Sequence, residues 1–118
     1  MEFENILLAA VEPGIYCLTI NRPAQYNALN AKTLEEIHMA ANYLKTQADA
    51  RVLLVTGSGQ KAFAAGADIK EMQTKTAIEG QAFGHQGMQA FRSLELLPIP
   101  VIAVVHGFAL GGGCELAM

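Results

Sequence analysis

Two short, continuously apolar runs constrain the fold of this chain more than any other feature. Val52–Val55 reads Val-Leu-Leu-Val and ends at Thr56-Gly57-Ser58-Gly59, whereas Val101–Val105 reads Val-Ile-Ala-Val-Val and leads into His106-Gly107. Runs of this length, ended by turn residues, are typical of strands that are buried on both faces of a parallel sheet. The sequence therefore predicts two such strands, joined by helices in an α/β layered fold.

The segments before and between the two runs supply the remaining elements. Ile6–Ala10 and Ile15–Ile20 predict a β-hairpin around Glu12-Pro13-Gly14, and Pro23 is expected to stop the second strand. Asn30 is a good N-cap for a helix. The apolar face of that helix is predicted at Leu34, Ile37, Ala41, Leu44 and Ala48, and Lys32, Glu35, Glu36 and Lys45 fall elsewhere. A later helix is predicted to have one face at Phe83, Gly87, Ala90, Phe91 and Leu94. Pro98 and Pro100 are expected to end it.

Composition excludes several classes of function. The 118 residues carry a net charge of −3, and the eight Lys and Arg residues form no run, which argues against a nucleic-acid partner. No apolar run approaches the roughly 20 residues of a membrane span. Cys17 and Cys114 lie far apart, and with no secretory signal they predict reduced thiols and a cytoplasmic location. His38, His85 and His106 are scattered, so no metal site is predicted.

The apolar fraction of 52% is high for so short a chain. A domain of this size buries only about 60–70% of the surface that its unfolded chain exposes. We therefore expect that other subunits cover part of the surface, or that the chain is a piece of a longer one.

Two glycine-marked turns, each before a helix start, concentrate the candidate chemistry. Gly66-Ala67-Asp68 is one and Gly111-Gly112-Gly113 is the other. Helix N-termini present unpaired N–H groups, and small side chains let a ligand oxygen approach them closely. Two such donors converging on one oxygen would form an oxyanion hole. Asp68, with Glu71 three residues later, resembles a capping box, so a helix is expected from Ile69 and Asp68 is interpreted as its cap.

Glu115 follows the second glycine turn within the apolar stretch Cys114–Met118. A carboxylate in the first turn of that helix could act as a general acid or base beside whatever the N–H groups hold. It could equally do no more than complement the helix dipole. Physical chemistry alone leaves these two interpretations open.

Three segments together resemble a known family, and they occur in its order along the chain. They are Asn21-Arg22-Pro23 with Asn27-Ala28-Leu29-Asn30, then Ala62-Phe63-Ala64-Ala65-Gly66-Ala67-Asp68-Ile69, then His106 to Ala117. The pattern resembles the crotonase (enoyl-CoA hydratase/isomerase) superfamily, most closely the hydratases. The resemblance implies a spiral of ββα units, homo-oligomers that are trimers or dimers of trimers, and an acyl-CoA thioester substrate of the kind used in fatty-acid metabolism.

The resemblance also implies roles for particular residues. The N–H groups of Ala67 and Gly112 would form the oxyanion hole, and Glu115 would be a catalytic glutamate. No separate cofactor is implied, because coenzyme A is part of the substrate. The residues that would bind the substrate are Ala65, Gly66, Ala67, Asp68, Ile69, Lys70 and Gly112, and the coenzyme A site would be lined by Ala65 to Lys70.

The chain departs from the family in its length. The hydratases use a second glutamate further along the chain than Met118, so we expect residues 1–118 to be the N-terminal part of a single crotonase-like domain, with an incomplete spiral and poor activity on its own. An enoyl-CoA isomerase of the same superfamily is the alternative enzyme. A non-catalytic association module, held together by exposed apolar surface, is the alternative from another class.

Overall fold

The computed structural model describes residues 2–118, apart from the side chains at positions 112, 114 and 115. Strands and helices alternate after an initial hairpin, as in an α/β fold. The strands are β1 (Ile6–Glu12), β2 (Ile15–Ile20), β3 (Val52–Gly57), β4 (Ala62–Ala64), β5 (Val101–Ala103) and β6 (Phe108–Ala109), and the helices are α1 (Ala31–Lys45), α2 (Ile69–Met72), α3 (Ala77–Glu95) and α4 (Gly112–Ala117).

The main sheet has the strand order β1-β2-β3-β5. β1 and β2 pair antiparallel, with Ile6 opposite Ile20, and Gly14 turns the chain between them at φ +81°. β2 pairs in parallel with β3, and β3 pairs in parallel with β5. The predicted hairpin, the parallel pairing and the end of β2 before Pro23 are therefore confirmed.

Burial along the two apolar runs differs from the prediction. In β3, Leu53 and Val55 are fully buried, while the residues of the opposite face are half-buried. In the second run the strand is only three residues long, and Ile102 and Val105 are each 49% exposed. The predicted burial of Val101–Val105 is wrong because β5 is an edge strand of the sheet, and a cavity of about 300 Å³ separates it from α3 and α4.

Helix α1 begins as predicted and carries one unexpected contact. Asn30 Oδ1 accepts a hydrogen bond from the backbone N–H of Thr33 at 2.9 Å, which confirms the N-cap. The helix ends at Lys45, so Ala48 was wrongly placed on its buried face. Glu36 lies off the predicted apolar face, yet it is only 3% exposed, and its carboxylate accepts the N–H groups of residues 4 and 5 at 2.7 Å each.

The capping interactions of the other helices differ in part from those predicted. Asp68 caps α2, but Glu71 does not return to it, because the Glu71 carboxylate accepts the N–H of Ala31 instead. The capping box lies on α3, where Thr76 and Glu79 bond each other's backbone N–H groups. The predicted apolar face of α3 packs against α1, and the shared core includes Leu34, Ile37, Ala41, Leu44, Phe83, Ala90 and Leu94.

A second, two-stranded sheet was not predicted. β4 and β6 pair in parallel, with Ala62 opposite Phe108 and Ala64 opposite Ala109. Because parallel strands place their carboxyl ends at the same edge, this pairing brings the segments that follow the two strands together. Within residues 2–118, no helix combines the length and the apolar character needed to cross a bilayer.

Candidate active site

The two glycine-marked turns meet at one end of the small sheet. The first turn follows β4 and the second follows β6. Leu110, in the second turn, donates its backbone N–H to the carbonyl oxygen of Ala64 at 3.1 Å. The segment that leads to Ala67 and the segment that starts α4 are therefore neighbours, as the oxyanion-hole prediction requires.

Gly113 allows α4 to lie directly on the end of β4. A Cβ atom at Gly113 would stand 2.0 Å from the carbonyl oxygen of Ala64, a distance that no real side chain adopts. Gly111 has a different requirement, since its φ of +49° lies in the left-handed region while the space around it is open. These glycines therefore serve close packing in one case and backbone conformation in the other.

A single β-bridge sets the direction of the Ala67 amide. Leu29 donates its N–H to the carbonyl of Gly66 at 2.6 Å and accepts from the N–H of Asp68 at 3.0 Å. In a parallel bridge of this kind the residue between the two bonded groups points its own N–H and C=O to the opposite side. The Ala67 N–H accordingly faces away from Leu29, and no described atom accepts a hydrogen bond from it.

Asp68 is engaged on several sides and is a cap, as predicted. Its Oδ1 accepts the N–H of Lys70 at 3.0 Å and of Glu71 at 3.4 Å, and its Oδ2 lies 3.0 Å from Nη2 of Arg22. Burial acts to raise the pKa of Asp68, but the hydrogen bond from Arg22, the bonds from the two backbone N–H groups and the Arg22 charge outweigh it. The pKa of Asp68 is therefore lowered, and its carboxylate is ionised at neutral pH.

Asn27 organises the loop before α1, a role that the sequence analysis did not detect. Its side chain is buried, and its φ of +58° is one that Asn tolerates better than most residues. The amide accepts the N–H of Arg22 at 2.9 Å and donates to the carbonyls of Ser58 at 2.9 Å and Ala62 at 2.8 Å. Asn27 thus ties this loop to β4 and to the turn after β3.

An apolar cavity of about 170 Å³ opens beside Ala67. It lies between the bridge segments and α3, and glycines on α3 keep one wall free of side chains. A cavity with this lining suits a hydrocarbon group rather than a charged one. Its lining residues are Leu29, Leu34, Ala67, Met72, Gly80, Phe83, Gly84, Gly87, Met88 and Phe91.

The remaining predicted site residues surround the start of α2. Ala65 is half-buried, Gly66 is buried with φ +96°, and Ile69 and Lys70 are exposed. α4 contains positions 112 and 115, but the Gly112 amide contacts and the Glu115 carboxylate lie outside the described part, so their roles stay predictions. Among the described side chains, no group of three or more His, Cys, Asp or Glu residues is arranged to hold a metal ion.

Comparisons with known proteins place this site in a family. The model of the family described as enoyl-CoA hydratase/isomerase matches residues 10–118. A short-chain-enoyl-CoA hydratase of Clostridium acetobutylicum is 48% identical over 118 residues, and a crotonyl-CoA hydratase of Syntrophomonas wolfei is 50% identical over 118 residues. Each alignment covers 100% of this chain and 45% of the relative, so the chain spans less than half the length of either protein.

A solved structure agrees with the fold. The crystal structure of an enoyl-CoA hydratase from Bacillus anthracis superposes with a TM-score of 0.94 at 36% sequence identity, covering 97% of this chain and 44% of that one. This match confirms the α/β fold that the resemblance implied. The family model extends over nearly the whole chain and includes both glycine turns. The chain belongs to the enoyl-CoA hydratase/isomerase family.

Proposed function

We propose that residues 1–118 form the N-terminal part of a single crotonase-like domain in an enoyl-CoA hydratase. The reaction adds water to a trans-2-enoyl-CoA and yields a 3-hydroxyacyl-CoA. Both relatives described above are named as hydratases of short enoyl-CoA or crotonyl-CoA, and the chain aligns with them over all of its residues. Their greater length supports the proposal that further residues complete the domain.

The observation that carries this proposal is the Ala67 N–H, which the Leu29 bridge turns away from its own sheet partner. We assign this group, together with the N–H of Gly112, to the carbonyl oxygen of the thioester. The packing of α4 on Ala64 supports the pairing, because it brings the start of α4 to the segment that carries Ala67. Loss of one such donor typically lowers kcat about 10²–10³-fold.

The surroundings of Ala67 suit the other parts of an acyl-CoA. The apolar cavity on the α3 side is assigned to the acyl chain. The exposed start of α2, with Ile69 and Lys70, is assigned to coenzyme A, whose phosphates the Lys70 ammonium could meet. Coenzyme A arrives as part of the substrate, so the proposal includes no separate cofactor.

The proposed chemistry assigns one step to each group. Glu115 removes a proton from water as the water oxygen bonds to C3 of the enoyl group. The electron pair of the C2–C3 double bond moves toward the thioester oxygen, where the two N–H groups stabilise the resulting enolate. C2 then takes up a proton from the second glutamate that the resemblance implies further along the chain, and Glu115 releases the proton of the water to solvent, so that one molecule of water is added overall. General acid–base assistance of this kind contributes about 10²–10⁴-fold.

Replacement of the glutamate tests the proposal. The assay uses the complete polypeptide that carries residues 1–118, or residues 1–118 joined to the remaining part of the Clostridium relative. Hydration of crotonyl-CoA is followed, and the product is identified by NMR. Glu115→Gln is expected to lower kcat about 10²–10⁴-fold. The matched control is Glu95→Gln, because Glu95 is exposed on α3 and pairs with Arg92 at the surface.

The product and the rate separate the possible outcomes. An unchanged rate in Glu115→Gln would reduce that residue to a partner of the helix dipole. A shifted double bond without added water would identify an isomerase, which the same oxyanion hole can serve. If the complete polypeptide catalysed neither reaction, the proposed function would be rejected in favour of the non-catalytic association module.

A further inference from the structure

We propose that Arg22 is a positioning residue that holds the Ala67 N–H in its catalytic direction. The proposal rests on the proposed function, because it assigns Arg22 a role in the same oxyanion hole. Arg22 does not touch the thioester in this account. It acts through the two segments that flank the bridge between Leu29 and Ala67.

One guanidinium group spans both sides of that bridge. Nη1 of Arg22 donates to the carbonyl oxygen of Ala28 at 2.5 Å, and Ala28 directly precedes Leu29. Nη2 donates to Oδ2 of Asp68 at 3.0 Å, and Asp68 directly follows Ala67. Each bridge partner therefore has a neighbour in the chain that is bound to the same rigid, planar group.

The arginine is itself held in place. The side chains of Arg22 and Asp68 are each 13% exposed, so the pair is shielded from most of the solvent. The backbone N–H of Arg22 donates to Asn27, and its carbonyl accepts the N–H groups of Gln25 and Asn27. Fixed at both ends of its side chain, Arg22 can transmit the geometry of its loop to the 66–68 segment.

A single bridge has only two hydrogen bonds, one on either side of Ala67. Two bonds leave the peptide groups free to rock about the bridge, whereas preorganised sites hold their donors within roughly 10–20°. The Arg22 contacts add a third and a fourth attachment to the two bridged segments, at Ala28 and at Asp68. Loss of Arg22 should therefore loosen the direction of the Ala67 N–H while the bridge itself persists.

Because an oxyanion hole binds the transition state more strongly than the substrate, a misdirected donor lowers kcat more than it raises KM. We expect Arg22→Gln to lower kcat about tenfold to a hundredfold, below the 10²–10³-fold cost of a lost donor, with KM changed less than about threefold. Arg22→Lys keeps the charge but loses the planar fork, so its kcat should lie between those of Arg22→Gln and the wild type. Arg92→Gln is the matched control, since Arg92 is 65% exposed and pairs with Glu95 on the surface.

A second readout does not depend on activity. Crystal structures of the wild-type and Arg22→Gln proteins compare the direction of the Ala67 N–H, which we expect to rotate by more than roughly 20°. The carbonyl stretch of a bound, isotope-labelled enoyl thioester measures polarisation by the donors, and its shift should shrink in the variant. A residue that only stabilised the fold would move neither quantity.

The outcomes distinguish the two proposals. An unrotated amide in Arg22→Gln, or equal losses in kcat for Arg22→Gln and Arg92→Gln, would overturn the positioning role. A rotated amide in a complete polypeptide without hydration activity would support the positioning role and reject the proposed function. If Arg22→Gln does not fold, Arg22→Lys and Asp68→Asn supply the same comparison. The double variant Arg22→Lys with Asp68→Asn should then lower kcat little more than Asp68→Asn alone.

Discussion

At the scale of single residues, Asp68 couples an ion pair to a helix start, and its titration makes that coupling measurable. Burial acts to raise its pKa, but the Arg22 hydrogen bond, the N–H groups of Glu71 and Lys70 and the Arg22 charge lower the pKa below the ordinary value of 3.8. The unfolded chain therefore binds a proton on Asp68 more readily than the folded chain does.

The sign of the pH dependence follows from this difference. The carboxylate contributes stability above a pH of about 3.8, and that contribution is lost as the pH falls through the lower pKa of the folded state. Urea unfolding of the wild type and of Asp68→Asn, measured from neutral pH into acid, should give a free-energy difference that shrinks at low pH. Other carboxylates, Glu79 among them, titrate in both proteins, so their contributions to the free energy of unfolding cancel in the difference. A difference that does not vary with pH would contradict the prediction.

The sequence predicted the residues whose partners are near in the chain and missed those whose partners are far away. Asn30 and Asp68 were predicted as caps because each accepts an N–H two or three residues later. Asn27 and Glu36 were not predicted as buried, because the groups that satisfy them lie about 30 residues away. No local pattern marks such residues, since only the folded topology brings their partners to them.

At the scale of elements, the contact of α4 with β4 depends on one missing side chain. A Cβ at Gly113 would meet the carbonyl oxygen and carbon of Ala64 at 2.0 and 2.7 Å. Backbone atoms cannot move aside as a flexible side chain would, so any larger residue must displace the helix. The proposed donor at position 112 would move with it.

We therefore expect Gly113→Ala to lower the free energy of unfolding by about 1–3 kcal/mol, the usual cost of overpacking. Gly84→Ala is the matched control, because Gly84 lies inside α3 and, apart from the local backbone of the helix, no atom lies within 4 Å of the added Cβ. That change should stabilise the protein by about 0.5–1 kcal/mol. The stabilities of Gly113→Ala and Gly84→Ala are compared by their urea denaturation midpoints. Equal stability of the two variants would show that α4 does not pack on β4 as described.

Long elements were predicted from their period and the short helix α2 from its cap at Asp68, whereas the short strands β4 and β6 were not predicted. The hairpin, α1 and α3 each carry enough residues to reveal a period. β4 and β6 have three and two residues, too few for any alternation to appear. The apolar run at β5 correctly indicated a strand, but apolarity alone did not show that the strand lies at an edge of the sheet.

At the scale of the whole molecule, the chain exposes a group of large apolar residues on and beside β5. The high apolar fraction led us to expect that other subunits cover part of the surface or that the chain is a piece of a longer one, and the apolar residues exposed on and beside β5 are where such a cover would lie. The proportion of charged residues, 16%, leaves few polar side chains to cover it. The large apolar residues exposed in this region are Val101, Ile102, Val104, Val105, Phe108 and Leu110.

We predict that residues 1–118 alone self-associate through this edge, because an exposed apolar edge strand is a template for pairing with another chain. Light scattering over a range of concentrations should show a mass above that of the 12.6 kDa monomer. The double substitution Ile102→Lys with Val104→Lys should reduce the association. Ile78→Lys, at an exposed position on α3, should not. A monomer at every concentration would refute the prediction.

The bridge between Leu29 and Ala67 also has a consequence for how the site is acquired. Its two residues belong to distant stretches of the polypeptide, separated by α1, β3 and β4. Neither stretch can orient the amide alone, so the donor gains its direction only when the two ends of a long loop close. Nascent helices formed early in folding would carry no partial activity, and catalytic competence would emerge in one cooperative step with tertiary structure.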